Sequence, residues 1–113
     1  MGRPSRHKVY NEIYKEEAIN YKNHLLIIGL NKETCQARYL YLREFFSWLE
    51  TLQIYQLQEI TTVEIARYYD YLLQRKSTRT GKPIKQKSIH DHMRNLQQYL
   101  GYLLEIGTLK VSP

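Results

Sequence analysis

His90, Asp91, His92 and Arg94 stand together in the stretch TRTGKPIKQKSIHDHMRNL, Thr78 to Leu96. Two imidazoles, a carboxylate and a guanidinium are groups that hold a metal, relay a proton or grip a phosphate. Spacing argues against the first two uses. On a helix, residues two apart diverge by about 200°, so His90 and His92 cannot share one metal ion. His7, His24 and Cys35 supply no zinc-ligand spacing, and neither GLNKET nor RTGKP has the second glycine and Lys-Ser/Thr pair of a phosphate loop. Cys35 falls on an apolar stripe, the place of a small buried hydrophobe rather than a nucleophile. Glu16 and Glu17 have no histidine near them in sequence. No catalytic residue, metal or cofactor is expected, which leaves the phosphate-binding use.

The charge supports that use. Residues 1–8 carry Arg3, Arg6 and Lys8, and residues 75–94 carry seven basic residues against Asp91, giving +3 and +6; the remainder of the chain sums to −3. Concentrating like charge costs self-repulsion, so a polyanionic partner is the economical explanation. The length of 113 residues fits one domain with its own core, and 42% apolar with 25% charged residues excludes wholesale disorder. A single cysteine excludes an intrachain disulfide framework and suits a reducing compartment. No apolar run approaches the ~18 residues of a membrane span. A soluble intracellular protein is expected.

The elements that must position these residues are helices. Tyr14, Ala18, Tyr21, Leu25 and Ile28 step by three and four, lining one face of a first helix over about Tyr10 to Ile28. Gly29 stands where a C-terminal cap glycine belongs, and Asn31 is an N-cap for a second helix over roughly Lys32 to Leu52. That helix carries a stripe of Cys35, Leu42, Phe46 and Leu49, widened by Tyr39, Phe45 and Leu52. Arg38, Arg43, Glu44, Ser47 and Glu50 are expected outside it. Thr61 with Glu64 is a capping-box signature, starting a third helix that reaches about Lys76 with Ile65, Tyr68 or Tyr69, and Leu72 inward. Thr80-Gly81-Lys82-Pro83 is turn chemistry. A fourth helix begins near Gln86, places Ile89, Met93, Leu96, Leu100 and Leu103 inward, and stops at Gly107. No run alternates as a strand does. The expected architecture is all-α, a compact four-helix bundle. Most of the eleven tyrosines, Tyr14, Tyr21, Tyr39 and Tyr99 among them, fill core or rim positions.

The starts of the second and fourth helices combine basic side chains with free backbone amides and the positive end of the helix dipole. Lys32 and Thr34 stand at one, with Arg38 and Arg43 further along. Lys82, Lys85, Gln86, Lys87 and Ser88 stand at the other, with His90 and Arg94 one turn on. Each set joins phosphate-type contacts to long polar side chains able to reach base edges in a major groove. These eleven residues are the expected DNA contacts.

Three stretches carry a resemblance to a known family. GLNKETCQARYLYLREFFSWLE, LQEITTVEIARYYDYLLQR and SIHDHMRNLQQYLGYLLEIGTLKVSP resemble the second, third and last helices of the N-terminal, SAM-like core-binding domain of tyrosine recombinases, or phage integrases. The likeness spans about residues 10–113, with residues 1–9 as a flexible basic arm. It departs from the family pattern at Arg38, which holds a place where a tyrosine is common, at Lys85, and at Ser112-Pro113. The resemblance implies a SAM-like bundle forming one half of a clamp on duplex DNA, in the site-specific recombinase of a bacterial mobile element, and so a cytoplasmic, DNA-associated protein. It implies that the nucleophilic tyrosine and its partners belong to a C-terminal catalytic domain absent from this chain, so the chain binds DNA without cutting it. Partners are then double-stranded DNA, that catalytic domain, and a recombinase tetramer formed on DNA only by the full-length protein. The rival expectations are a helical protein-interaction module with a basic face and a helix-turn-helix regulator, although these helices are long for the latter.

Overall fold

Asn11 starts the first helix. Its Oδ1 accepts the N–H groups of Ile13 at 2.9 Å and Tyr14 at 3.2 Å, satisfying two of the amides that a helix start leaves unpaired. In the computed structural model, which describes residues 8–76 and 80–106, α1 is Glu12–Ile27, α2 Lys32–Thr51, α3 Thr62–Gln74 and α4 Gln86–Glu105, with a short 3-10 turn Leu57–Glu59 ahead of α3. The all-α expectation holds. Among the described residues there is no strand, only an isolated antiparallel bridge between Lys76 and Pro83, and no helix is long and apolar enough to cross a membrane. The chain divides into two compact units, Met1–Tyr55 and Gln56–Pro113.

In the first unit, Gly29 ends α1 at φ +102°. Leu30 N–H donates to Leu25 C=O and Gly29 N–H to Leu26 C=O, both at 3.1 Å, the paired bonds that a left-handed glycine allows at a helix end. Asn31 Oδ1 then accepts Thr34 N–H at 2.8 Å and α2 begins. With so short a joint α2 folds back antiparallel on α1. Tyr14, Ala18, Tyr21 and Leu25 are buried with Cys35, Leu42, Phe45, Phe46 and Leu49. The Tyr14 ring stacks on Phe46 at 4.4 Å between centroids, and its hydroxyl donates to Ile54 C=O at 2.8 Å. Burying each such ring contributes roughly 1.5–3 kcal/mol.

Three expectations are corrected here. Ile28, assigned to the inward stripe, is 57% exposed, because it is the C-cap of α1, where the chain leaves the helix. Leu52, 39% exposed, has the same place on α2. Glu44, assigned to the outer face, is only 2% exposed. It lies on the side of α2 away from the apolar stripe, so amphipathic periodicity does not account for its burial. A buried carboxylate needs a compensating interaction, and Glu44 has one.

In the second unit, Thr61 and Glu64 form the capping box. Glu64 Oε1 accepts Thr61 N–H at 2.8 Å, and Thr61 Oγ1 accepts Val63 N–H at 3.2 Å. Tyr68 and Leu72 are buried while Tyr69 is 38% exposed, which settles the choice between the two tyrosines. α3 ends at Gln74 rather than Lys76, because Arg75 turns to extended backbone and its carbonyl accepts Ile84 N–H at 3.3 Å. Gly81, at φ +70°, makes the turn. In α4, Ile89, Leu96, Leu100 and Leu103 are buried and Met93 only half-buried. The buried face is turned toward His92, Asn95 and Tyr99, which join it. The expected stop at Gly107 lies outside the described residues; Ile106 caps the helix.

Candidate nucleic-acid interface

α4 begins at Lys85, whose side chain makes no capping hydrogen bond, and its first turn carries no acid. The first amides and the positive end of the dipole are therefore left to a partner outside the helix. Gln86, Lys87, His90 and Arg94 are exposed, and their spacing puts them on one side of the helix. Gln97 and Gln98 continue that side and are exposed as well; the sequence reading missed both, although carrying the spacing of His90 and Arg94 one turn further finds them. Ser88 stands on the other side and is half-buried, so it parts from the set it was grouped with. Lys82 is exposed in the turn, with its N–H donated to Thr80 Oγ1 at 3.3 Å. His92 is buried and has interactions of its own, so it serves the interior rather than the surface.

α2 carries the other set, and the structure divides it between two faces. Thr34 and Arg38, four apart, lie together and are half-buried. Arg38 lies close enough to the Tyr21 hydroxyl of α1 to act on it electrostatically. Burial raises the pKa of that phenol above its ordinary 10.0, and the charge and hydrogen bond of Arg38 pull it partly back. Lys32, exposed, and Arg43, half-buried, lie on a different side with Gln36 and Tyr39. Arg43 sits over the Tyr39 ring, its Cζ 5.6 Å from the centroid. Lys22 of α1 sits over the same ring with its Nζ at 5.0 Å and donates to Gln36 Oε1 at 2.7 Å. Lys22 escaped the sequence reading because its place beside α2 depends on the register of the α1–α2 pair.

Arg3 and Arg6 of the basic arm lie outside the described residues; Lys8 is exposed. A groove of about 510 Å³ is lined by Lys8, Tyr10, Asn11, Ser47, Glu50, Thr51 and Tyr55, and the Glu50 carboxylate in it makes it a poor seat for phosphate. Among the described residues no three His, Cys, Asp or Glu side chains gather as a metal-ligand set.

A family model described as the phage integrase SAM-like domain matches residues 9–113. No curated protein and no solved structure matches the chain.

Proposed function

The chain belongs to the phage integrase SAM-like domain family, and from that premise we propose that it binds duplex DNA sequence-specifically as the N-terminal, core-binding part of a site-specific tyrosine recombinase. The observation that carries this reading is the α4 surface. Gln86, Lys87, His90 and Arg94 share one exposed side behind a helix start with neither an acid nor a side-chain cap. Such a surface offers amides and cations to phosphate and long polar side chains to base edges.

The roles divide by chemistry. Lys32, Lys82, Lys85 and Lys87, with the hydroxyl of Thr34, hold phosphates; Ser88, on the other side of α4, leaves this set. Gln86, His90 and Arg94 face base edges, together with Arg38, whose guanidinium must exchange part of its contact with Tyr21 to do so. Arg43 joins the contacts from α2. The family is the SAM-like domain of integrases, distinct from their catalytic domain. Strand cleavage is accordingly assigned to a separate catalytic domain of the same protein, and tetramer assembly on DNA to the full-length recombinase. The chain's own work is to bind and position the duplex, without metal or cofactor.

The test is titration against duplex DNA at several salt concentrations. A slope of log affinity against log salt of about −4 or steeper is expected, at about −0.9 per neutralised phosphate. Lys85→Ala should weaken binding to all sequences alike, whereas Arg94→Ala and Arg38→Ala should also relax sequence preference. A uniform loss for all three would remove the base-reading assignment. A folded protein that ignores DNA even at low salt would instead be a helical protein-interaction module.

A further inference from the structure

Lys22, Gln36, Tyr39 and Arg43 form a cluster that the DNA surface described above uses only through Arg43. Lys22 comes from α1, and the other three share one side of α2, with Lys32 one turn before Gln36. One phenol ring thus gathers two cations from two helices, Lys22 Nζ at 5.0 Å and Arg43 Cζ at 5.6 Å from its centroid. The contacts of Lys22 and Arg43 end with Gln36 and Tyr39, so neither cation has a carboxylate partner among the described residues. The ring face offsets part of the repulsion between the two charges; the rest of the positive potential is left for an anion outside the chain. Both side chains are half-buried, with their stems packed and their charged ends already placed. Little of their freedom remains to be lost when a ligand arrives.

We propose that Tyr39 is the platform of a phosphate seat in which Lys22 and Arg43 hold the sugar–phosphate backbone of duplex DNA, with Lys32 beside them. The proposal rests on the DNA-binding reading and adds to it a contact from α1 and a positioning role for a tyrosine. Arg43 supplies the planar fork of donors that fits phosphate oxygens, and Lys22 the point charge. Tyr39 acts through both by holding them on one side of the α1–α2 pair. Gln36 accepts one ammonium hydrogen of Lys22 and leaves two for the ligand.

The experiment uses the whole chain and a short mixed-sequence duplex, titrated at several salt concentrations. Lys22→Ala and Arg43→Ala are each expected to weaken binding several-fold and to flatten the salt slope by about 0.9. Tyr39→Leu keeps both charges yet should also weaken binding several-fold, and Lys22→Ala should then cost less in that background than alone. Tyr39→Phe, which keeps the ring face, restores affinity. Lys22→Ala removes a half-buried side chain, and an unchanged helical signal and melting temperature show that its effect is not loss of fold. Wild-type binding and slope for Lys22→Ala and Tyr39→Leu, with Lys87→Ala weakened, would overturn the seat and leave the DNA reading standing. Weakened binding with an unchanged slope would also overturn it, because phosphate would not be the group contacted. Absence of salt-dependent binding by the wild type would overturn both.

Discussion

The Glu50 carboxylate, in the last turn of α2, accepts the backbone N–H of Asn11 at 2.7 Å, and Asn11 is the residue that caps α1. The same carboxylate accepts Tyr10 N–H at 3.0 and 3.2 Å. In a capping box the third residue of the helix returns this bond to the cap. In α1 that residue is Tyr14, whose hydroxyl is engaged with Ile54 C=O, so α2 supplies the missing acceptor and closes the open end of the helix pair. Glu50→Ala is expected to cost about 1–2 kcal/mol in urea unfolding, the range for amides left without an acceptor. Glu50→Gln keeps an acceptor oxygen and should lose less. Equal stability of Glu50→Ala and wild type would mean that water replaces the carboxylate at no cost.

The capping box of α3 gives stability a pH dependence of known sign. The Thr61 hydroxyl bond is the largest cause holding Glu64 below its ordinary carboxylate value of 4.5; burial, next in size, opposes it, and the Thr61 amide assists it. A lowered folded-state pKa means that folding favours the ionised form. The contribution is present above the unfolded value and disappears as pH falls through the lowered one. Thr61→Ala is therefore expected to cost about 1 kcal/mol near neutral pH and much less in acid. Thermal melts from pH 3 to 7 check this; a penalty independent of pH would show that Glu64 is not its source.

Two glycines should respond oppositely to alanine. Gly101 lies inside α4 with nothing within 4 Å of an added Cβ, so Gly101→Ala should raise stability by roughly 0.5–1 kcal/mol through helix propensity. Gly29 also has open space around it, but its φ of +102° is strained for any L side chain. Gly29→Ala should destabilise by about 1 kcal/mol or more. Denaturant midpoints read both, and a stabilised Gly29→Ala would contradict the backbone argument.

Arg38 and Arg94 are separable by measuring stability beside binding. Arg94 is exposed on α4, whereas Arg38 is half-buried against Tyr21. Arg38→Ala is expected to cost about 0.5–1.5 kcal/mol of stability, the scale of one hydrogen bond, in addition to any loss of DNA affinity. It should also push the Tyr21 phenol higher, since burial would act unopposed. Arg94→Ala should change binding alone. Ultraviolet titration of the tyrosines and urea unfolding read the two effects; a destabilised Arg94→Ala would place that side chain in the interior instead.

Much of the grouping of the proposed contact residues was legible because helical periodicity is local. Gln86, His90 and Arg94 are four residues apart in turn, and any helix through them must put them on one side. The basic start of α4 was legible for the same reason, from Lys85 and Lys87; that its first turn holds no acid and no side-chain cap came from the structure. Ser88 was grouped with them by adjacency, and adjacency on a helix separates side chains by about 100°.

The sequence by itself determined four helices and most of their ends, since Asn11, Gly29, Asn31, Thr61 and Glu64 act on amides and carbonyls within a few residues of themselves. It also determined which apolar stripes go inward. Only the tertiary structure decided that Glu50 completes the cap of α1, 39 positions away, that Lys22 and Arg43 share the ring of Tyr39, and that Glu44, His92 and Asn95 leave solvent. The physical reason is range. A cap or a helical face is set by bonds that close within one turn. The burial of a polar group or the pairing of two cations depends on which distant side chain the fold brings alongside, and no spacing along the chain encodes that neighbour.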